Sequence, residues 1–268
     1  MLRFITSLLS SGTSSAGAGR QRVPDGERVY AVGDIHGRCD LFRALVDAIE
    51  EDDAASPEAR SLVILLGDLV DRGPDSAGVL KLARGWRERR DVRVLMGNHE
   101  EMFLQSFEDK EVLRHFLRHG GKETILSYGV DRKAFTAATM KEAQQMMHDA
   151  VDPEDIAFIA AFEDRVQVGD YLFVHAGIDP ARALDDQRQK DLRWIREPFL
   201  SHDESYEGGV LIVHGHTIRD EPETRGNRIG IDTGAYSSGR LTALVLEGAE
   251  RRFIVAAERE DGTIAIER

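Results

Sequence analysis

Five short motifs, each bounded by glycine, hold most of the side chains in this chain that could do chemistry: GDIHG (33–37), GDLVDRG (67–73), GNHE (97–100), HAG (175–177) and GHT (215–217). Asp34 and His36 are two residues apart, so in an extended segment their side chains point the same way and can grip one ion together. Asp68 can bridge two ions through its two carboxylate oxygens, while Asn98, His175 and His216 offer an amide oxygen and two imidazoles. Oxygen and nitrogen ligands without a thiolate suit Mn²⁺, Fe or Zn²⁺ better than Mg²⁺ or Cu⁺. Such a ligand set suggests two divalent ions, about 3.5–4 Å apart, of the kind that clamp both oxygens of an in-line phosphoryl displacement.

Taken singly, none of these motifs is decisive. A lone Asp-x-His is more often a surface pair, and a lone Gly-Asp after a strand is more often a turn or a helix cap. His214 lies within an apolar run and is expected to be a satisfied core histidine. Cys39 is expected to be buried at a helix start without a redox role, and the runs EEDD (50–53) and EGAERR (247–252) to be solvated faces. The metal-centre reading rests on the ordered set, with every motif at the end of an expected strand.

The elements that must position these motifs alternate between strand and helix. RVYAV (28–32), SLVILL (61–66) and VRVLM (92–96) read as buried strands, followed by helices over 39–51, 76–90 and 100–107. In open α/β sheets ligands gather at the carboxyl ends of strands, so the glycine-bounded turns can converge on one crevice. Residues 108–162 read as mainly helical, broken at HGG (119–121) and SYG (127–129), and are expected to form a cap over the core. The last third supplies YLFVHAG (171–177), GVLIVHG (209–215), NRIGIDTG (227–234), LTALVLEG (241–248), RRFIVAAE (251–258) and TIAIE (263–267) as strands, several in hairpin-like succession. The expected fold class is α/β, with two packed mixed β-sheets, a β-sandwich, flanked by helices.

Composition bounds the partners. The 268 residues carry a formal charge of −13, which argues against generic binding to duplex nucleic acid or an anionic membrane. One cysteine excludes an intramolecular disulfide framework and a Cys-rich zinc module. Residues 1–27, with an apolar run interrupted at Thr6 and Ser7 and a small-polar tract after it, are expected to be a flexible tail of a cytoplasmic protein, and residues 28–268 a single domain.

With its motifs in this order, the sequence resembles the phosphoprotein phosphatases within the calcineurin-like metallophosphoesterases. GDIHG, GDLVDRG and GNHE match the first three signatures of that family, and HAG and GHT the last two. Closest in style are the bacterial and phage-lambda-like serine/threonine protein phosphatases, which share GHT followed by IDTGA (231–235). The resemblance covers about residues 28–250. It implies Asp34, His36 and Asp68 on a first ion and Asp68, Asn98, His175 and His216 on a second, with Mn²⁺ favoured and Fe or Zn as alternatives.

It also implies Arg72, Arg196 in WIREPF (194–199) and Asn98 on the substrate phosphate, and Tyr236 as a candidate for the site wall. Attack would come from a hydroxide bridging the ions, with His99 as general acid and Asp71 holding its tautomer. The ions and arginines leave the site net positive inside an acidic shell, as a phosphomonoester dianion requires. Ile218 stands where many phosphodiesterase relatives carry a further histidine, which favours the phosphatase branch. Eukaryotic members carry Arg immediately before GNHE and a different C-terminal signature; here Met96 and IDTGAYSSG stand there, so regulatory-subunit docking is not implied. The expected activity is metal-dependent hydrolysis of phosphoserine or phosphothreonine in a phosphoprotein or phosphopeptide, with phosphotyrosine as an extension. The alternative is a symmetrical diadenosine tetraphosphate hydrolase, whose members typically read GDLVARGP and GNHD where this chain has Asp71 and Glu100.

Overall fold

A computed structural model describes residues 21–56 and 58–268. The first half alternates as β1 (Glu27–Val32), α1 (Cys39–Ala55), β2 (Arg60–Leu65), α2 (Ser76–Arg87), β3 (Val92–Val94) and α3 (Asn98–Ser106). The apolar runs of β1 and β2 need cover on both faces, and α1 supplies one layer through Leu41, Phe42, Leu45, Val46 and Ile49 at helical spacing. On α2 the corresponding stripe is Val79, Leu80, Ala83 and Trp86. That helix starts where the Asp75 carboxylate accepts the Gly78 N–H.

A helical insertion follows: α4 (Lys110–Phe116), a wide turn over Leu117–Gly121, α5 (Lys122–Ser127), α6 (Arg132–Ala137), α7 (Met140–Ala150) and α8 (Pro153–Ala160). Two of its breaks fall at HGG and SYG, as expected, and two more, between Ala137 and Met140 and between Ala150 and Pro153, were not read. The insertion packs directly into the core. Leu113, Phe116, Ile125, Phe135 and Met147 join the same apolar cluster as α1, α2 and Phe103 of α3.

The chain then runs through β4 (Arg165–Val168), β5 (Tyr171–Val174), α9 (Gln189–Trp194), β6 (Leu211–His214), β7 (Glu223–Thr224), β8 (Arg228–Gly230), α10 (Ala235–Ser238), β9 (Arg240–Glu247), β10 (Glu250–Glu258) and β11 (Ile264–Glu267). One sheet has the order β11-β10-β9-β1-β2-β3 and the other β4-β5-β6-β8-β7. Both are mixed: β1, β2 and β3 pair in parallel while β1 with β9 and β9 with β10 are antiparallel, and β5, β6 and β8 are parallel beside antiparallel β4 and β7. Strand alternation divides the side chains between layers. Val29, Ala31, Ile64, Leu244 and Leu246 meet Tyr171, Phe173, Val213 and Ile229 between the sheets, while Tyr30, Val32, Val63 and Leu65 face the helices.

Register sets the carboxyl ends level. Val32 pairs with Leu65 and Leu65 with Val94; in the other sheet Phe173 pairs with Val213 and His214 with Gly230. The motif loops therefore leave both sheets at one edge of the sandwich.

Several boundaries differ from expectation. The four-residue β4 and two-residue β7 were not read, because each is too short to show a period. The third strand stops at Val94, although Leu95 makes an isolated bridge to Glu163. α3 begins at Asn98, two residues early, because the buried Glu100 carboxylate accepts the Gly97 N–H at its start. Within the expected tail over 1–27, residues near its inner end are tied to the domain: Val23 is fully buried and its N–H reaches Gly248 O at 3.0 Å, while the Asp170 N–H donates to Arg22 O and the Arg22 N–H to the Asp170 carboxylate. Residues 1–20 of that expectation lie outside the described residues. Among the described residues no helix is long and apolar enough to cross a membrane.

Candidate active site

The loops after β1 and β2 are laced together by backbone. Asp68 O accepts the N–H groups of Ile35 and His36, Leu69 O accepts that of Gly37, and His36 O accepts that of Gly73. Gly97 is required by close approach: a Cβ there would stand 2.5 Å from the Asp68 backbone nitrogen. Among the described residues, the non-glycine residues in the left-handed region are His36 (φ 45°), Asp68 (50°), Asp71 (74°), Arg72 (70°) and His216 (61°). All of them are site residues, so the strain of the fold is concentrated where the chemistry is expected.

The six candidate ligands converge. His36 Nδ1 donates to Val70 O and His175 Nδ1 donates to Leu66 O, each at 2.8 Å, which leaves Nε2 of both rings as an acceptor, that of His36 toward Arg72 and that of His175 facing the Asn98 oxygen. Asp68 lies between them, Oδ2 3.5 Å from His36 Nε2 and Oδ1 3.4 Å from His175 Nε2. Asn98 Oδ1 is 3.1 Å from His175 Nε2, and His216 Nε2 is buried without a partner among the described residues. Asp34 accepts the His216 N–H at 3.0 Å, drawing together ligand loops of the two sheets. His36, Asp68 and His99 form one cluster with atoms placed for a cation, and Asp68, His175 and His216 another.

Lone pairs facing lone pairs, all buried, are stable only with positive charge among them. Electrostatics shows the same need. Burial, with Asp232 and Asp68 nearby, drives the Asp34 carboxyl well above its ordinary value. Burial opposes a proton on His175, yet Asp68 outweighs it and raises that imidazole. Burial, helped by His175, pushes His216 down to about 3, so it offers a neutral nitrogen. The donor set fits divalent ions, with Asp68 common to both clusters.

His99 sits at the edge of this centre. Its Nδ1 donates to Asp71 Oδ2 at 2.6 Å, and its Nε2 accepts from Arg72 Nη2 at 3.0 Å. Burial disfavours the imidazolium, but Asp68 and the hydrogen-bonded Asp71 together raise His99 above the usual histidine range. The Arg72 guanidinium also donates to His36 Nε2 at 2.9 Å and lies 4.7 Å over the Tyr236 ring, which places Tyr236 in the site wall. Arg196 is exposed at the rim, its Nη2 3.4 Å from His216 O.

His214 departs from expectation in one respect. It is buried beside Phe199, and its Nδ1 donates to Gly215 O, but its Nε2 has no partner among the described residues, so it is a core histidine half satisfied. Cys39 is buried and free at the start of α1.

Three buried residues were not singled out as part of the site. Glu100 accepts the backbone N–H groups of Asp68, Leu69, Val70 and Gly97, fixing the ligand loop, and burial beside Asp68 raises its carboxyl to about 7. The signal was present, since an acid three residues after a helix-starting glycine is a capping pattern. Asp232 accepts the Gly234 N–H at 2.9 Å and is raised to about 6 by burial. Thr124 of the insertion bonds Asp71 and has no local signal at all, being 53 residues away.

Comparison with known proteins agrees with this architecture. The family description "Calcineurin-like phosphoesterase" matches residues 27–237. Serine/threonine-protein phosphatase 1 of Salmonella typhimurium is 31% identical over 80% of this chain and 89% of its own. The asymmetrical bis(5'-nucleosyl)-tetraphosphatase PrpE of Anoxybacillus flavithermus is 27% identical over 80% and 88%. Among solved structures, the cold-active protein-tyrosine phosphatase of a psychrophilic Shewanella superposes with a TM-score of 0.52 over 92% of this chain and 83% of that one, at 19% identity, a likeness of fold. By its ligand set, its two-sheet frame and the match over most of its length, this chain belongs to the calcineurin-like phosphoesterase family and is a metal-dependent phosphoester hydrolase.

Proposed function

We propose that the protein is a phosphomonoesterase acting on phosphoserine and phosphothreonine in proteins and peptides. One observation carries this reading: the His99–Asp71 pair stands beside the Arg72 guanidinium at the edge of the ligand cluster. Asp34, His36, Asp68, Asn98, His175 and His216 would hold two divalent ions, Mn²⁺ being the proposed metal. Bound there, the ions supply Lewis acidity to a phosphoryl oxygen and lower the pKa of water.

The chain's own residues do the remaining work. Arg72 rests on two imidazole nitrogens, and a phosphate dianion is a much stronger acceptor, so the guanidinium turns onto the substrate when it enters. That movement frees His99 Nε2 to carry a proton to the departing oxygen. A serine or threonine alkoxide leaves poorly unprotonated, so the proton is worth about 10²–10⁴ in rate. Asp71 keeps the other ring nitrogen protonated and stabilises the imidazolium. Arg196 at the rim and the Asn98 amide meet further phosphoryl oxygens as charge builds in the transition state.

Hydrolysis of dinucleoside polyphosphates is the second reading, and the likeness to the PrpE tetraphosphatase over a similar span supports it. Turnover by the Mn²⁺-loaded protein on a phosphoserine peptide and on diadenosine tetraphosphate, side by side, separates them. The peptide is expected to have the higher kcat/KM; preference for the dinucleotide would overturn the leading reading.

A further inference from the structure

The helical insertion reaches the proton-donating pair through one side chain. Thr124 of α5 is fully buried, and its hydroxyl donates to Asp71 Oδ1 at 2.6 Å while accepting the Asp71 N–H at 2.8 Å. Ser76 Oγ, 3.0 Å from Thr124 Oγ1, accepts the same N–H at 3.0 Å. A hydroxyl has one proton to give, and the carboxylate is the stronger acceptor, so Ser76 donates to Thr124 and Thr124 to Asp71. With Oδ1 occupied, Oδ2 is the oxygen left for His99 Nδ1 at 2.6 Å. The carboxylate is thus held at both oxygens, on a residue whose backbone is itself strained at φ 74°.

We propose that Thr124 is a positioning residue for proton transfer: by fixing the Asp71 carboxylate it fixes the plane and tautomer of the His99 ring, so that Nε2 faces the leaving oxygen. Thr124 touches no reacting atom. Its effect must pass through two hydrogen bonds, Thr124 to Asp71 and Asp71 to His99. The inference rests on the reading of His99 as proton donor, and it gives the insertion a part in the chemistry itself.

Leaving-group dependence tests it, because a good leaving group needs no proton and a poor one does. The Mn²⁺-loaded wild type, Thr124→Val, Thr124→Ala, Thr124→Ser and His99→Asn proteins are compared on p-nitrophenyl phosphate and on a phosphoserine peptide, with metal content and Tm recorded for each. Thr124→Val and Thr124→Ala are expected to lose kcat on the peptide by about tenfold or more beyond any loss on p-nitrophenyl phosphate. KM and metal content should change little, and Thr124→Ser should restore the wild-type ratio. Equal loss on both esters by Thr124→Val and Thr124→Ala, while His99→Asn shows the leaving-group split, would overturn the role of Thr124 and leave the His99 reading standing. Absence of the split in His99→Asn as well would sink both. Should one Thr124 variant fail to fold, the other carries the comparison. With diamagnetic Zn²⁺ in place of Mn²⁺, the downfield proton resonance of His99 Nδ1–H gives a second readout in either, expected to broaden or shift upfield; an unchanged resonance in a folded variant also counts against the proposal.

Discussion

Two histidines at one strand end, His214 and His216, meet opposite fates. In a continuing strand, side chains two residues apart would share a face. The left-handed φ of 61° at His216 breaks that pattern: His214 packs edge-on to Phe199 in the outer layer, while His216 faces His175 across 5.1 Å in the metal centre. Burial lowers His214 to about 4, so it is neutral at pH 7. Its unfolded value is about 6.5, and the unfolded chain therefore takes up the proton first as the pH falls. The folded state should lose on the order of 3 kcal/mol from this residue between about pH 6.5 and pH 4. His214→Asn keeps an N–H to offer the Gly215 carbonyl but cannot titrate. Urea unfolding at pH 7 and pH 4.5 should show a smaller acid loss in the variant than in the wild type; equal losses would mean that His214 is not held neutral.

At the level of elements, the apolar runs of β1 and β2, the helical stripes of α1 and α2 and all five motif loops were legible, because their signals are local: a run, a period, a glycine beside a ligand. What bound the insertion to the site was not. Arg72 N–H reaches Gly120 O at 3.1 Å, and Thr124 reaches Asp71, contacts that join segments tens of residues apart by packing rather than by pattern. Glu100 was visible as a helix-start signal, but its reach to three N–H groups of another loop was not. Gly120 shows what the contact demands. Its φ is 106°, and a Cβ there would stand 2.7 Å from the Arg72 backbone nitrogen and 3.0 Å from its Cα. Gly120→Ala should cost about 1–3 kcal/mol and raise KM for phosphomonoesters, since Arg72 is displaced. Gly85 in α2 is the internal control, with open space where its Cβ would go. Gly85→Ala should gain about 0.5–1 kcal/mol with KM unchanged. Thermal unfolding and steady-state kinetics on the two variants check both; a harmless Gly120→Ala would show that the insertion does not hold Arg72.

Over the whole molecule, charge and architecture meet in the metal centre. The chain carries −13, and the centre adds to the local excess, because Glu100 and Asp232 lie buried beside the three aspartates already expected there. The margin by which the loaded site is positive is therefore narrower than Asp34, Asp68 and Asp71 alone imply. Without the ions, Arg72 and Arg196 would be left to offset these carboxylates, and a phosphate dianion should be repelled. The candidate ligands also come from both sheets: Asp34, His36, Asp68 and Asn98 follow strands of one, His175 and His216 strands of the other. Ions held there would cross-link the sandwich at its loop edge and so favour the folded chain over the unfolded one. Stability should rise with free Mn²⁺ as mass action requires, by about 2.7 kcal/mol at a hundredfold excess over Kd. Chelation should lower Tm and abolish phosphate binding together, and Mn²⁺ should restore both, in scanning calorimetry and phosphate titration of the same samples. Tight phosphate binding by the chelated protein would show that the arginines suffice and that the ions are not what offsets the acidic shell. A Tm indifferent to Mn²⁺ would show that the two sheets are not joined through the metal centre.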